Sequence, residues 1–235
     1  MPVNKSTARA AKDRHAVDTA QPREPQLRRG NTRDPESTSA AILAAAVREF
    51  TERGYEGARV DNIARRASVN KRMLYHYFGN KEALYVAVLE GSYAAIRMAE
   101  HGLHLSDRDP IEGMSDLVRF TWRYYLAHPE FLSLLNTENL HRAKFLKRSA
   151  RIFELNSPLI ERISVLLGRG VEQGVFRDDL DALKVYVSIA ALGFFYLSNR
   201  WTLSTVFRRD LTAKDEIASW GEHMVDVTLS YLRRV

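Results

Sequence analysis

The 235-residue chain has no cysteine. That excludes disulfides, thiolate metal sites and cysteine catalysis, and it fits the cytoplasm. It has no apolar run of membrane length. The richest stretch, Val185 to Leu197, is short and interrupted by Ser188, so no membrane partner is expected. Residues 1–36 lack the apolar segment of a secretory signal. The seven histidines are scattered, and there is no HExxH, no glycine-rich phosphate loop and no GxSxG. No enzyme activity, cofactor or metal is therefore expected. Asp178, Asp179 and Asp181 do cluster, but such a run suits the cap of a helix starting near Leu183.

What the chain does have is positive charge, +6 net. Residues 1–36 hold Pro2, Pro22, Pro25 and Pro35 and a surplus of Lys and Arg over Asp and Glu, without apolar periodicity. This segment reads as a disordered basic arm. Its Arg28, Arg29 and Arg33 can reach phosphates, or the arm is an uninvolved tail.

Residues 60–81, VDNIARRASVNKRMLYHYFGNK, are the most informative stretch. Val60, Ile63, Ala64 and Ala67 give a first short helix an apolar face. Ser68, Val69 and Asn70 form a turn, with Asn70 as N-cap of the next helix. In that helix Leu74 and Phe78 face the core, leaving Lys71, Arg72, Tyr75 and His76 to meet a ligand. Gly79 ends it. Asn80 caps a further helix that starts at Lys81, and a helix N-terminus with a lysine suits a phosphate. A preceding helix from about Ser37 to Arg53 buries Ile42, Ala45, Ala46, Phe50 and the following Tyr55, and Gly54 stops it. The layout is that of a helix-turn-helix, whose second helix can enter a DNA major groove.

The pattern from AILAAAVREF through LYHYFGNKEAL resembles the TetR family of bacterial transcription factors over about Ser37 to Arg97. The resemblance implies a homodimer, a base-reading helix at Lys71 to Tyr77 and a ligand-responsive helical C-terminal domain. Carried over, Lys71, Arg72, Met73, Tyr75 and His76 face bases or nearby phosphates, with Asn70 at the same helix start. Tyr77 and Lys81 hold the backbone, although Tyr77 can equally pack against its own domain. Three positions depart from the family pattern. Ser68 replaces a turn glycine. Arg72 stands where a small residue or proline is frequent, and it can pair with a guanine edge. Arg59 stands where a capping threonine is common; it cannot cap but can contact a phosphate.

Beyond His101 about seven helical segments can be drawn, with no strand alternation. Ile111 to His128 and Phe131 to His141 form two of them. Ile152, Leu155, Leu159, Ile163, Leu166 and Gly170 keep one helical period through Pro158, which favours one kinked helix over a fresh start at Ser157; Gly174 ends it. Leu183 to Trp201 is apolar nearly all round, and a helix of that kind is buried on every face. The last helix carries a stripe of Ile217, Trp220, Met224, Val227 and Tyr231. With Leu183, Val187 and Phe195 these residues are the expected dimer interface, two helices from each copy. Trp122, Tyr125, Phe145, Phe153, Tyr186, Phe194 and Tyr196 can line a ligand cavity between helices, or be ordinary core. Arg142, Lys144 or His141 can meet an anionic group on the ligand, or be solvated.

The expected fold is all-α: a basic arm at 1–36, a three-helix DNA-binding domain at 37–82, and a ligand-binding and dimerisation domain at 83–235. The expected function is a ligand-released repressor that binds a palindromic site on double-stranded DNA as a homodimer. Its effector is a small, mostly apolar molecule. The alternative is an activator or architectural DNA-binding protein without a small ligand.

Overall fold

The computed structural model describes residues 34–234. The basic arm and its arginines lie outside these residues, except that Pro35 and Glu36 already belong to the first helix. Nine α-helices follow, and the described residues include no strand, only an isolated bridge between Phe176 and Arg233. The helices are α1 (Pro35–Gly57), α2 (Val60–Arg66), α3 (Lys71–Phe78), α4 (Lys81–His101), α5 (Pro110–Ala127), α6 (Pro129–Leu140), α7 (Ala150–Glu172), α8 (Ala182–Phe207) and α9 (Lys214–Leu232). Single 3-10 turns at Leu105–Asp107 and Leu146–Arg148 complete the region after His101.

Local chemistry sets most helix ends. The side chains of Asn70, Asn80, Asp109, Ser149 and Asp181 each accept a backbone N–H at the start of α3, α4, α5, α7 and α8. Gly54 breaks α1 at φ +63 before a last turn that carries Tyr55. Pro158 stays inside a continuous α7, so the fresh start at Ser157 is not used.

Two apolar cores result. One joins Ile42 and Phe50 of α1, Ile63 of α2, Leu74 of α3 and Leu84, Tyr85, Val88 and Leu89 of α4. It also takes in Leu134, Phe145 and Ile152 from beyond the N-terminal helices. The expected boundary at 82/83 thus cuts through this core, because α4 is needed to close it. The other core lies between α5, α7, α8 and α9 and includes Ile96 from the far end of α4.

Helix α8 corrects an expectation. It runs on to Phe207, 26 residues that include an 18-residue stretch with a mean hydropathy of 1.3, which by length and composition is enough to cross a membrane. The core helix of a soluble protein meets the same description. Here Val185, Ile189, Tyr196 and Leu197 pack into the C-terminal core, while Leu183, Val187, Phe195 and Trp201 are exposed. Burial on every face does not hold within one copy.

Candidate nucleic-acid interface

Arg59, at the start of α2, offers no side-chain cap. A carboxylate from α1 takes over. Glu49 Oε1 accepts from the Arg59 backbone N–H at 3.2 Å and from Asn62 Nδ2 at 2.9 Å, and its other oxygen lies 3.5 Å from Arg66 Nε. Glu49 is fully buried. Burial pushes its pKa up, but the Asn62 and Arg59 hydrogen bonds and the Arg66 charge outweigh that, and it lies below the ordinary value.

The turn into α3 needs a left-handed residue. Ser68 supplies it at φ +55. The Ser68 N–H donates to Arg65 O and the Val69 N–H to Ala64 O, at 3.1 and 3.0 Å. These are the two bonds of a Schellman closure, in which glycine is the usual residue. Serine keeps the geometry and bears a steric cost of about 1 kcal/mol.

Asn70 Oδ1 then accepts from the Met73 N–H at 2.8 Å and starts α3. Leu74 is fully buried and anchors the helix. Arg72, Tyr75 and His76 are exposed, as is Lys71, and Met73 is half-buried. Lys71 Nζ is held 3.0 Å from Asp61 on α2, and this hydrogen bond raises its pKa. No ion pair engages Arg72 or His76 among the described residues. Tyr77 is half-buried against the N-terminal core. Gly79, at φ +74, turns the chain into α4. Lys81, first in α4, folds back: its Nζ lies 4.6 Å over the Tyr55 ring and 3.5 Å from the Glu56 carbonyl. Burial lowers its pKa, against the pull of Glu56.

The seven expected ligand residues divide. Trp122, Tyr125 and Tyr196 are buried in the C-terminal core, with Tyr186 and Phe194 half-buried beside them. Trp122 Nε1 donates to Ile217 O at 3.1 Å and packs on Gly221, where a Cβ would stand 2.6 Å from its ring. Tyr186 OH accepts from Nη2 of Arg97 on α4 at 3.1 Å, and Arg97 pairs with Glu100 of the same helix at 2.9 Å. Two residues do not join this group. Phe145 belongs to the other core, enclosed by Tyr55 at 4.2 Å and Tyr85 at 5.0 Å. Phe153 is 78% exposed, because it lies on the outer face of α7.

The expected interface residues also divide. Leu183, Val187, Phe195, Val227 and Tyr231 are exposed, and Ile217 and Trp220 half-buried. Phe195, Trp220, Val227 and Tyr231 line a groove of about 620 Å³ between α8 and α9, together with Val185 and Leu192 among others. Met224 corrects the expectation: it is fully buried on the inner side of α9, close to Gly193 of α8, and cannot touch another copy. None of the seven aromatic candidates lines this groove; Tyr196 stacks on Trp220, which does.

Comparison with known proteins agrees with this layout. Residues 42–88 match the family described as bacterial regulatory proteins, tetR family, and residues 110–228 match the tetracyclin repressor-like C-terminal domain. The chain is 40% identical over 193 residues to the HTH-type transcriptional repressor NicS of Pseudomonas putida, covering 82% of this chain and 91% of NicS. It is 30% identical over 164 residues to the HTH-type transcriptional repressor AcnR of Corynebacterium glutamicum, covering 68% and 81%. Among solved structures, the ketosteroid transcriptional regulator KstR2 of Mycobacterium tuberculosis superimposes with a TM-score of 0.63 at 22% identity, over 84% of this chain and 95% of that one.

Proposed function

Because this chain belongs to the TetR family of bacterial transcriptional regulators, we propose that it is a cytoplasmic repressor that grips a palindromic operator as a homodimer. The observation that carries the reading is α3 itself, a capped helix anchored by Leu74 with Arg72, Tyr75 and His76 exposed side by side. Arginine can bond both acceptors of a guanine edge, and tyrosine and histidine can bond bases or phosphates. Lys71 exchanges Asp61 for the DNA on binding. Asn70 sets the start of the helix, Met73 lies beside the reading face, and Arg59, Tyr77 and Lys81 support the backbone contacts. The names of NicS and AcnR, both repressors, support repression over activation.

The second copy covers α8 and α9. Leu183, Val187, Phe195, Val227 and Tyr231 leave an exposed apolar face that a two-fold mate would bury, with Ile217 and Trp220 at its margin. A small, mostly apolar effector then separates the half-site readers by preferring one of two dimer conformations. Its site is the region of Trp122, Tyr125, Tyr186, Phe194 and Tyr196. These side chains fill their own space, with Trp122 against Gly221 and Tyr125 against Gly193. That filling favours a second reading, a DNA-binding regulator with no small ligand, unless the effector opens its own cavity.

The test is a mobility shift on the DNA upstream of the protein's own gene, with footprinting and a salt titration. A protected palindrome, lost in Tyr75→Ala and Arg72→Ala while the dimer remains, supports the proposal. Removing each base-reading side chain should cost about 1–3 kcal/mol. Unchanged affinity in both variants refutes the role given to α3.

A further inference from the structure

The cations of the loop between α6 and α7 do not face the interior where an effector would sit. Residues 141–149 lie against the N-terminal core, not inside the C-terminal bundle. Phe145 is the anchor, fully buried between Tyr55 at the end of α1 and Tyr85 in the second turn of α4. His141 Nε2 lies 3.7 Å from Glu56, and Arg148 pairs with Glu82 in the first turn of α4. The loop backbone is fixed as well. The Ala143 N–H donates to Glu138 O at 2.8 Å, and the Leu146 N–H to the buried Glu138 carboxylate at 3.0 Å. Arg142 and Ala143 are both left-handed, at φ +55 and +57. This conformation costs non-glycine residues energy, and the Phe145 anchor and the Glu138 bonds hold it in place.

The charge left over is positive. Of the acids that meet the loop, Glu82 pairs with Arg148, Glu56 lies beside His141, Glu138 accepts from the Leu146 N–H, and Glu90 accepts from Ser149 Oγ and lies 3.7 Å from Arg151. Arg142, Lys144 and Lys147 are exposed and form no ion pair among the described residues. Lys144 is joined to Lys81 through two rings. Lys144 Nζ is 5.2 Å from the centre of the Phe145 ring, Phe145 packs on Tyr55, and Lys81 covers the Tyr55 ring. Three exposed cations without ion pairs on one fixed loop, with Lys144 joined to the helix start that suits a phosphate, match the next stretch of the same polyanion.

We propose that Arg142, Lys144 and Lys147 form a second DNA-backbone contact, gripping phosphates that flank the half-site read by α3. This rests on the DNA-binding reading of α3 but is separable from it. Base reading sets which sequence is bound, whereas the loop adds affinity to any duplex seated on the same face.

The experiment compares three charge variants of the full-length protein on two duplexes, the upstream DNA and an unrelated duplex of equal length. The first variant combines Arg142→Gln, Lys144→Gln and Lys147→Gln. The second removes equal charge elsewhere, by Arg123→Gln, Arg208→Gln and Lys214→Gln, all at exposed positions. The third keeps the loop charge, by Arg142→Lys, Lys144→Arg and Lys147→Arg. The slope of log K against log salt falls by about 0.9 for each phosphate that the protein no longer neutralises. The loop variant of a dimer should therefore have a slope shallower by about 2 to 5, with at least tenfold weaker binding to both duplexes. The charge-keeping variant should restore the slope. The proposal is overturned if the loop variant matches the variant with charge removed elsewhere in slope and affinity. It is also overturned if binding falls as far in the charge-keeping variant, since loop shape and not charge would then matter. Loss of discrimination between the duplexes in Tyr75→Ala, with the slope retained, would bear on α3 alone.

Discussion

Phe145→Ala tests how the two halves of the chain are joined. The ring is fully buried and touches Tyr55, Tyr85 and His141, with centroids at 4.2, 5.0 and 5.8 Å. Removing it takes away the transfer energy of a phenyl group and leaves a hole walled by two tyrosines that α1 and α4 hold in place. Such a site collapses poorly, so the loss should reach about 3–5 kcal/mol. A leucine refills much of the volume and should cost less than about 1.5 kcal/mol. The loss should also be located. Tyr85 and Tyr55 belong to the DNA-binding core, so hydrogen exchange should quicken at the end of α1 and the start of α4. The core around Met114, Ile163 and Ile189 contains neither tyrosine, and its exchange should stay close to that of the parent protein. Urea unfolding at fixed protein concentration, with exchange read by mass spectrometry, measures both. An alanine variant that loses less than about 1 kcal/mol, or that loosens α8 and α9 as much as α4, would refute the anchor argument.

Four further outcomes are expected. Ser68→Gly relieves the left-handed strain at φ +55 and should stabilise the protein by up to roughly 0.5 kcal/mol after the entropy of glycine is allowed for, read as a higher urea midpoint. Glu49 is held below its ordinary pKa, so its contribution is present above about pH 4.5 and is lost as the pH falls through its folded value; Glu49→Gln should flatten that acid limb and cost about 1–2 kcal/mol at pH 7. Glu100 behaves oppositely, because burial pushes its pKa up to about 7 despite Arg97. Its contribution is fully present below about pH 4.5 and fades as the pH rises through about 7, and Glu100→Gln should remove that slope from a series of unfolding curves. Phe195→Asp puts a charge on the exposed face of α8 and should give a helical monomer in sedimentation; a dimer of unchanged affinity would move the interface elsewhere.

The parts legible in the sequence are those with short-range causes. Asn70, Asn80 and Asp181 bond to N–H groups three residues ahead, so the helix starts can be read locally. The length of α8 cannot. The expected helix stops at Trp201, yet the hydroxyls of Ser204 and Thr205 bond back to carbonyls four residues earlier and the helix continues until Arg208 turns left-handed. Met224 departs from the expected interface because the apolar surface of α9 is broader than a single stripe. Gly221, Val225, Thr228 and Leu232 carry the buried side, and Met224 goes with them. Phe145 has no periodicity to betray it. Its partner Tyr55 is far away in the sequence, and only the fold brings them together. The replacement of the missing cap at Arg59 by Glu49 is hidden for the same reason. A hint lies in a glutamate placed in the otherwise apolar stripe between Ala46 and Phe50.

The two cores meet on one helix, and this constrains how any effector could act. Leu84 to Leu89 of α4 belong to the DNA-binding core, Ile96 belongs to the other, and Tyr93 borders both. Leu84 and Ile96 stand about 18 Å apart along the axis at 1.5 Å per residue. An α-helix of that length moves as a rod, so a displacement at Ile96 is delivered to the start of α4. Two charged side chains sit buried at the C-terminal end of the rod: Arg97, which donates to Tyr186, and Glu100, whose pKa burial pushes up to about 7. At the other end the Phe145 anchor and the Arg148–Glu82 pair grip the first turns. To turn a population from 99:1 bound-competent to 1:99, a ligand must favour the second conformer by about 5.5 kcal/mol. Contacts with exposed side chains of the bundle cannot supply this unless they shift α4. A differential contact on groups that touch α4 directly is the economical route, and Tyr186 of α8, which accepts from Arg97 of α4 at 3.1 Å, is such a polar group within the C-terminal core.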